Sequence, residues 1–468
     1  MKVLLINPSQ LMIYGTPMPQ AYPPLGLLYV GAVLEKDGHE VTFVDIDVDG
    51  FDDAKLESYV REYGPGMVGV STTTPSMNDA LHAAEVVKRA TDAPVVFGGI
   101  HPTIAAQECM ESEYIDIVVK GEGEITAVEL ARALEKGGDL SAIEGVLFKK
   151  KGKVVENGDR PLIEDLDTIP FPARHLLNRP EKYTPADAMR TPATPIITSR
   201  GCSGKCTFCC TKQIFGRKYR FRSVDNIIAE IDYCIGRYGM KEFHIADDNF
   251  IAHRQRTIDF CKRVVDGNYD LGFFFFNGLR ADFVSPEILK ALKSIGVFSV
   301  GYGVESGNQA ILDRIKKGLT LDKLRYAFRI SKEEGFKTWA FFIIGLPGDT
   351  PETIRDTIDF AKELDPDFVK FLILKPYPGS EVFNELKSLG LIENFNYTMY
   401  GVYTAPVHRL EEMTSAEILY WQKRAYREFY LRPKVILRHI MRIRSLTQLK
   451  VDIHSGVFIF KKMLTKSL

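Results

Sequence analysis

The sequence predicts an α/β protein made of two successive series of strand–helix units and a helical C-terminal region. In the first 140 residues, short β-branched runs alternate with longer amphipathic runs, which indicates a parallel sheet with helices on both faces. A second series begins at Ile196, and three cysteines follow its first strand directly. We therefore predict a doubly wound, Rossmann-like domain, a partial (β/α)6 barrel and a helical tail. The predicted bounds are 1–140 for the first domain, 141–190 for a linker, 191–400 for the barrel and 401–468 for the tail.

Composition supports this division and excludes some classes of protein. A chain of 468 residues is too long for one ordinary core, and 45% hydrophobic with 26% charged residues is typical of globular proteins. A net charge of -1 provides no general attraction for nucleic acid. The N-terminal sequence lacks a signal-peptide pattern, and no apolar run reaches the roughly 20 residues that span a bilayer. We expect a cytoplasmic protein that does not bind nucleic acid.

The first domain presents small and hydroxylated residues where its strands end. The predicted strands are 3–6, 41–44, 67–71, 95–98 and 117–119, and the helices between them are 26–37, 53–63, 76–91 and 124–135. Ligands of such sheets bind beyond the carboxyl ends of the strands, and small residues there let a bulky ligand approach the backbone. Tight strand–helix turns would have the same composition. The candidate ligand-binding residues are Asn7, Ser71, Thr72, Gly98, Gly99, His101, Gly121 and Glu122.

The second series contains six strand–helix units, too few for a closed eight-stranded barrel but suited to an open one. Prolines punctuate the linker before it, and a small hairpin is predicted at 146–156. The predicted strands are 196–198, 242–245, 273–277, 299–303, 338–343 and 368–374. The predicted helices are 225–238, 254–266, 286–295, 321–334 and 350–364.

Cys202, Cys206 and Cys209 form a C-x3-C-x2-C motif immediately after the first strand of the barrel. Three thiolates at this spacing can each bind one iron of a 4Fe-4S cubane, which leaves the fourth iron open for another ligand. Structural zinc is the alternative, but it usually takes four ligands in paired C-x2-C units, and no second pair is present. Cys210 is interpreted as structural, because adjacent residues rarely bind the same metal. The motif therefore predicts an iron–sulfur cluster.

This motif, with an aromatic residue before the last cysteine and a partial barrel around it, resembles the radical S-adenosylmethionine (SAM) superfamily. The resemblance implies that the open iron binds SAM and that reductive cleavage yields a 5′-deoxyadenosyl radical. It also implies an electron donor such as flavodoxin or ferredoxin. In that family the methionine amino group is bound after the second strand, ribose and carboxylate after the fourth, and adenine beside the fifth. The candidate residues at successive strand ends are Asp247, Asp248, Arg280, Glu305, Ser306 and Gly345.

The first domain then resembles the cobalamin-binding class of this superfamily. The D-x-H-x-x-G motif that supplies a histidine to cobalt is absent, so the resemblance implies a corrinoid without a histidine ligand, and His101 is expected to shape its pocket. A member that has lost cobalamin and a non-catalytic corrinoid or redox sensor are the alternatives. Methylthiotransferases carry three further cysteines in the first domain, where this chain has only Cys109, so we reject that class.

The tail is basic and amphipathic, which fits either a cap over the open barrel or contact with an anionic membrane. Its interleaved basic residues are Arg424, Arg427, Arg432, Lys434, Arg438, Arg442 and Arg444, and residues 457–462 are apolar and then basic. The overall plan resembles the group that contains anaerobic magnesium-protoporphyrin IX monomethyl ester cyclase and hopanoid-modifying enzymes. That resemblance implies an apolar substrate such as a lipid, a tetrapyrrole or another natural product. Methylation and oxidative or cyclising modification both remain open.

Overall fold

The computed structural model describes residues 1–14, 22–183, 185 and 188–442. The strands of its front domain are β1 Lys2–Asn7, β2 Glu40–Asp45, β3 Met67–Ser71, β4 Val95–Gly98, β5 Ile117–Val119, β6 Val146–Lys150 and β7 Lys153–Glu156. The helices are α1 Leu11–Tyr14, α2 Leu25–Lys36, α3 Ile46–Asp49, α4 Asp53–Tyr63, α5 Met77–Ala90, α6 Ile100–Ile104, α7 Ala106–Cys109 and α8 Gly123–Glu135. The strands of the predicted front domain are all present.

The front sheet has the order β2-β1-β3-β4-β5-β6-β7. Strands β1 to β5 are parallel, whereas β6 pairs with β5, and β7 with β6, in antiparallel fashion. The strand order reverses between β1 and β3, and this reversal opens a crevice at the carboxyl ends of the strands. The predicted doubly wound fold is therefore confirmed, and the carboxyl edge of its sheet is where a ligand is expected.

The hairpin of β6 and β7, which the sequence places in the linker, continues the front sheet beyond residue 140. Lys120 N–H donates to the Gly145 carbonyl at 2.8 Å, and Phe148 pairs with Ile117. The side chains of Val146, Leu147 and Phe148 are buried. Burial of this apolar strand against the sheet explains why the front unit extends to Glu156.

The barrel strands are β8 Ala193–Ile196, β9 Ser199–Arg200, β10 Arg220–Phe221, β11 Glu242–Ile245, β12 Gly272–Phe275, β13 Ser299–Glu305, β14 Lys337–Ile344 and β15 Phe368–Ile373. The helices are α9 Thr211–Ile214, α10 Val224–Tyr238, α11 Arg254–Asp266, α12 Pro286–Ser294, α13 Gln309–Arg314, α14 Leu321–Glu333, α15 Pro351–Leu364 and α16 Glu381–Ser388. Strands β8, β11 and β12 form one parallel set and β13, β14 and β15 another, joined by a parallel bridge between Leu279 and Tyr302. The six main strands form the predicted partial barrel.

The first barrel strand begins earlier than predicted, at Ala193 instead of Ile196. Pro195 obscured it in the sequence, because proline cannot donate a hydrogen bond in a sheet. In the described chain β8 pairs only with β11, so it is an edge strand and accommodates the proline. The short β9 and β10 pair is a separate antiparallel ladder beside the cysteine loop.

The tail begins with α17 Ser415–Tyr430 and α18 Pro433–Arg442, and α17 covers the exposed edge of β15. Tyr430 hydroxyl accepts a hydrogen bond from Val369 N–H at 3.0 Å and donates one to the Val369 carbonyl at 2.9 Å. Phe371 N–H donates to Tyr426 hydroxyl at 3.1 Å, and the Gln422 amide donates to the Phe371 carbonyl at 2.8 Å. Side chains of α17 thus provide hydrogen-bond partners for the backbone groups on the open edge of β15.

Basic residues of the tail also pair with the barrel. Asp365 carboxylate contacts Arg432, Lys434 and Arg438, with distances of 3.4, 2.8 and 2.6 Å. This arrangement matches the cap alternative. Arg444 and residues 457–462, on which the membrane alternative partly rested, lie outside the described residues. Every helix in the described part of the chain is too short or too polar to cross a bilayer.

We predict that Tyr430→Phe weakens the contact between α17 and the edge of β15. The change leaves the Val369 N–H and carbonyl without their side-chain partner, at a cost of about 1–3 kcal/mol. Amide hydrogen exchange at Val369 measures this as a lower free energy of local opening. Tyr420→Phe is the control, because Tyr420 lies on the same helix and is 52% exposed. If both changes lowered the free energy of local opening at Val369 equally, the interpretation of α17 as a cap over the barrel would be contradicted.

Candidate functional site

The loops after β3 and β4 meet at the carboxyl edge of the front sheet. Thr72 N–H donates to the Gly98 carbonyl at 3.0 Å, and His101 N–H donates to the Thr72 carbonyl at 3.1 Å. Gly99 has φ +100°, and a Cβ there would lie 2.8 Å from Ser71 Oγ. Only glycine fits this close approach. The structure therefore brings together Ser71, Thr72, Gly98 and Gly99, as a cradle of small residues requires.

Two further predicted residues extend this edge. Gly121 N–H donates to Thr103 Oγ1 at 3.0 Å, and the same hydroxyl donates to the Gly99 carbonyl at 2.7 Å, so the β4 and β5 loops are linked. At the β1 end, the Asn7 amide donates to Asp45 Oδ2 at 2.9 Å. Asn7, Ser71, Gly98 and Gly121 all remain partly accessible. Gly98 and Gly121 have open space where a Cβ would lie, so this edge of small residues leaves room for a corrinoid laid across it.

His101 is fully buried beside this cradle. Its Nδ1 lies 3.1 Å from Thr74 Oγ1, and its ring packs edge-on against Tyr397 with centroids 4.7 Å apart. Burial lowers the pKa of His101 to about 4, so the ring is neutral at pH 7. Enclosed in this way, His101 packs inside the loop that follows Gly99, and its role in shaping a corrinoid pocket stays a prediction.

Glu122 differs from its predicted role as a corrinoid contact. Its carboxylate receives Arg200 Nη1 at 2.8 Å, Arg220 Nη1 at 2.7 Å and Ile163 N–H at 2.7 Å. Hydrogen bonds from these groups hold its pKa below its usual range against the effect of burial. The side chain is therefore committed to protein groups, and its charge faces the barrel.

The three predicted cluster ligands lie on one irregular loop between β9 and α9. The loop turns at Gly201, with φ +95°, where a Cβ would lie 2.3 Å from the Lys218 carbonyl oxygen. A Cβ on Gly204 would lie 3.3 Å from Cys202 Sγ and 3.8 Å from Cys206 Sγ, so the chain winds closely between these two sulfurs. Within the described ranges, no three Cys, His, Asp or Glu side chains converge on one point as a single metal ion requires. Thiolates that each bind a different iron need no such convergence.

The surroundings of the sulfurs suit a cluster. Thr211 N–H donates to Cys209 Sγ at 3.5 Å, and Tyr219 hydroxyl donates to Cys202 Sγ at 3.7 Å. Such donors orient metal-bound thiolates and tune the metal. Burial raises the pKa values of Cys206 and Cys209, whereas a coordinating metal deprotonates a thiol outright. The loop thus fits a cubane bound through Cys202, Cys206 and Cys209.

Asp247 and Asp248, which follow β11, have different environments. Asp247 is buried and accepts hydrogen bonds from Thr198 N–H and Ser199 hydroxyl, both at 2.6 Å. It therefore fixes the segment that leads into the cysteine loop. Burial, followed by the charge of Asp247, raises the pKa of Asp248 to about 6. Asp248 Oδ1 lies 3.4 Å from Thr211 Oγ1, beside Cys209, where it can bind an amino group.

Glu305 and Arg280 lie on the other side of the cysteine loop. Glu305 ends β13 with φ +64°, a strained conformation for a residue with a side chain, and its carboxylate pairs with Lys317 Nζ at 2.6 Å. Arg280 Nη1 lies 3.2 Å from the Cβ position of Gly204, and the guanidinium pairs with Asp282 at 2.9 Å. The charges of Lys317 and Arg280 both act on Cys206. These cations can bind the carboxylate of SAM.

Ser306 and Gly345 have local roles in the structure. Ser306 Oγ lies 3.1 Å from Thr357 Oγ1 and joins the end of β13 to α15. Gly345 N–H donates to Asp349 Oδ2 at 3.0 Å, and its carbonyl accepts a hydrogen bond from His408 Nε2 at 2.9 Å. Gly345 therefore anchors the loop after β14, where adenine is expected.

Sequence reasoning missed Lys317 and Tyr219. Lys317 lies in Lys316-Lys317-Gly318, which resembles an ordinary solvated turn, yet its side chain is 8% exposed. Tyr219 lies after the motif on no recognisable pattern, and the pairing of β9 with β10 brings it to Cys202. No strand or motif predicted from the sequence includes Tyr219, so the sequence offered no signal for it.

The corrinoid edge and the cysteine loop face each other. Helix α6, which follows Gly99, packs against α9, which follows Cys209. Ile104 of α6 lies 3.2 Å from the Cβ position of Gly379, and the Gln213 amide of α9 donates to the Gly379 carbonyl. The two predicted cofactor sites are therefore neighbours across one interface.

Comparisons with known proteins match two family models to the chain, one to the front domain and one to the barrel. The B12 binding domain model matches residues 13–131, and the Radical SAM superfamily model matches residues 196–361. An uncharacterised methyltransferase of Pyrococcus horikoshii is 35% identical over 442 residues, covering 94% of this chain and 95% of that protein. The anaerobic magnesium-protoporphyrin IX monomethyl ester cyclase of Rubrivivax gelatinosus is 30% identical over 440 residues, covering 92% and 78%. The solved structure of the cobalamin-dependent radical enzyme OxsB, with aqua-cobalamin and SAM bound, has the same fold at a TM-score of 0.77 and 17% identity, covering 99% and 71%.

We predict that Cys202→Ala, Cys206→Ala or Cys209→Ala each removes the cluster, since each thiolate binds its own iron. Anaerobic reconstitution should give iron and sulfide contents near zero and no 5′-deoxyadenosine from SAM with dithionite. Hydroxocobalamin binding, followed by its absorption spectrum, should persist because the front domain stays folded. Cys210→Ala is the matched control and should keep its iron; loss of iron in that variant alone would overturn the assignment.

Proposed function

The chain belongs to the radical SAM superfamily and carries a B12-binding domain, and on this premise we propose that it methylates a carbon atom of an apolar small molecule. As a cobalamin-binding radical SAM enzyme of the methyltransferase or cyclase type, it uses a 4Fe-4S cluster, SAM and cobalamin. When bound and reduced, the cluster supplies the electron that cleaves SAM to methionine and the 5′-deoxyadenosyl radical. Because the chain belongs to a superfamily of enzymes, we do not favour the alternative of a non-catalytic corrinoid or redox sensor.

The observation that carries methyl transfer is the contact between α6 and α9. Methylation of a carbon through a corrinoid requires the corrinoid edge and the SAM site to reach one substrate atom. The close approach of Ile104 to Gly379 supports a single chamber with both cofactors on its walls. The P. horikoshii relative, named a methyltransferase, also matches this chain over nearly its whole length.

The interior of the barrel supports an apolar substrate. In β14 and β15 every second side chain is buried against the outer helices, and the others, which face the interior, are partly accessible. Trp339 stacks on Phe368 with centroids 4.3 Å apart, and Lys370 Nζ lies 5.4 Å from the Trp339 ring. The partly accessible inward side chains include Phe274, Trp339, Phe341, Ile343, Phe368 and Leu372. Aromatic walls of this kind favour flat or apolar molecules.

One polar group enters this interior from the front domain. Tyr22 stacks on Phe276 with centroids 4.7 Å apart, and its hydroxyl lies 2.7 Å from His244 Nδ1. Glu242 accepts the Nε2–H of His244 at 2.7 Å and also a backbone N–H from Arg190, so Nδ1 of His244 is the acceptor for Tyr22. Because its proton is donated to His244, the Tyr22 hydroxyl can accept a hydrogen bond and so orient a hydroxyl group of the substrate.

Oxidative cyclisation is the second candidate, and the R. gelatinosus cyclase favours it. Tetrapyrroles would also suit the aromatic interior. The two functions differ in what becomes of the methyl group of SAM, so one labelling experiment separates them.

We predict that the reconstituted holoenzyme transfers a deuterated methyl group from labelled SAM to an apolar product. The assay contains dithionite and the apolar extract of a strain that lacks the gene, analysed by untargeted mass spectrometry. S-adenosylhomocysteine and 5′-deoxyadenosine should form together, and Cys206→Ala should form neither. A modified product without label, formed with 5′-deoxyadenosine alone, would instead establish the cyclase function.

We further propose that the protein acts in the cytoplasm, where flavodoxin or ferredoxin reduces the cluster. Lys205 lies within the cysteine loop and Arg217 just after α9, and both are exposed. Two exposed cations beside a redox centre attract a carrier with an acidic surface. The cluster cysteines themselves are only partly buried, which keeps the electron-transfer path short.

We predict that Lys205→Glu slows reduction of the cluster by reduced flavodoxin about tenfold but leaves reduction by dithionite unchanged. Charge reversal affects docking of the acidic carrier, and the rate in the unchanged protein should fall with added salt. Stopped-flow absorption measures both rates. Lys290→Glu, at a side chain 70% exposed on α12, is the control; an equal loss with dithionite would place the defect in the cluster.

A further inference from the structure

We propose that a buried set of four charged residues, Glu122, Glu124, Arg200 and Arg220, positions the cysteine loop against the corrinoid edge and couples the binding of cobalamin to that of SAM. We call these four residues the interdomain ion cluster. The two glutamates belong to the front domain and the two arginines to β9 and β10 of the barrel. The inference rests on the family's cofactors and does not depend on whether methyl transfer or cyclisation follows.

The contacts of the interdomain ion cluster are direct. Arg200 Nη1 donates to Glu122 Oε1 at 2.8 Å, while Arg200 Nη2 donates to Glu124 Oε1. Arg220 Nη1 donates to Glu122 Oε2 at 2.7 Å and also to the Ile163 carbonyl. Arg200 therefore holds the front domain at two side chains, while Arg220 holds Glu122 and the linker backbone at Ile163. A lysine cannot reproduce this geometry.

Because the interdomain ion cluster is buried, its stability depends on the pairing of every charge. The four side chains are between 2% and 7% exposed, and they carry two negative and two positive charges. Such charges are tolerated in a protein interior only when each is paired and hydrogen-bonded. Arg200 also lies over the rings of Tyr29, at 5.5 Å, and Phe215, at 5.8 Å. A shift of the front loop must therefore move Arg200 with it or leave a buried charge unpaired.

Both ends of the interdomain ion cluster adjoin a cofactor site. Glu122 follows Gly121, whose N–H is bound to Thr103 in the loop network of the corrinoid edge. Arg200 precedes Gly201 and Cys202 directly, and its backbone is paired with that of Arg220. Glu122 directly adjoins Gly121 of the corrinoid edge, and a single residue, Gly201, separates Arg200 from Cys202. A ligand that orders either segment consequently favours the conformation that the other segment uses.

Thermodynamic linkage turns this arrangement into a measurable quantity. If cobalamin strengthens SAM binding by some factor, SAM must strengthen cobalamin binding by the same factor. We expect a factor of about 5 to 20 in the unchanged protein, within the usual range for coupled sites. A purely structural role would lower stability and each affinity but leave no reciprocal factor that depends on Arg200.

The experiment measures four dissociation constants on anaerobically reconstituted, oxidised protein, in which SAM binds without being cleaved. Equilibrium dialysis gives the constant for SAM with and without hydroxocobalamin, and absorption titration gives the constant for hydroxocobalamin with and without SAM. In Arg200→Lys the charge remains but simultaneous contact with Glu122 and Glu124 is lost, so the factor should fall to about one. Iron content and each single-ligand affinity should stay within about threefold of the unchanged protein.

Lys218→Gln is the matched control, because Lys218 lies close to β10 and pairs with Glu164 while both side chains are about 70% exposed. Its coupling factor should equal that of the unchanged protein. If Arg200→Lys fails to assemble a cluster, Glu124→Gln replaces it, since Glu124 contacts only one arm of Arg200; this variant should lower the factor at least twofold. An unchanged factor in either assembled variant, or a factor of one in the unchanged protein, would overturn the proposal.

Discussion

The path of the loop from Arg200 to Cys209 is the constraint on which the rest of the structure depends. To bind a cluster as proposed, the loop must present three sulfurs to separate iron atoms while its backbone groups find hydrogen-bond partners. Gly201 makes its first turn against the Lys218 carbonyl, and Thr207 N–H donates to the Ile315 carbonyl at 3.0 Å near its end. Val382 N–H donates in turn to the Thr207 carbonyl at 3.1 Å. The loop is thus held by Lys218 just before β10, by Ile315 at the end of α13 and by Val382 of α16. The last two are remote from it in sequence.

The same constraint explains why the two domains form one body. The loop lies at the carboxyl end of the barrel, where an open barrel leaves one side uncovered. The front domain covers that side with its own carboxyl edge, through the interdomain ion cluster on one flank and the contact of α6 with α9 on another. Tyr397 and Tyr400, which follow the barrel, pack in the front-domain core. Apolar contacts and ionic contacts therefore both hold the front domain against the barrel.

Most elements could be predicted from sequence because their signals are local. Helix α4 was predicted at its observed bounds, since Asp52 caps its first turn and Gly64 ends it in a left-handed conformation. The cysteine motif is equally local, and its loop has the predicted position. Strand β8 was misplaced because proline hides an edge strand, and β6 joined the front sheet because its apolar face needed a partner. Pairing between distant segments leaves no such local mark.

The roles of single charged residues were the hardest to predict, for a related physical reason. Glu122 lies in Gly-Glu-Gly, a pattern that indicates a ligand loop, and its loop does lie on the predicted edge. Its carboxylate, however, turns toward two arginines that lie 78 and 98 residues further along the chain. Lys317 is the opposite case. Its sequence context is typical of a solvent-exposed turn, whereas folding buries its side chain against Glu305. A buried charge is stable only beside its partner, so its role is decided by the partner that tertiary structure supplies.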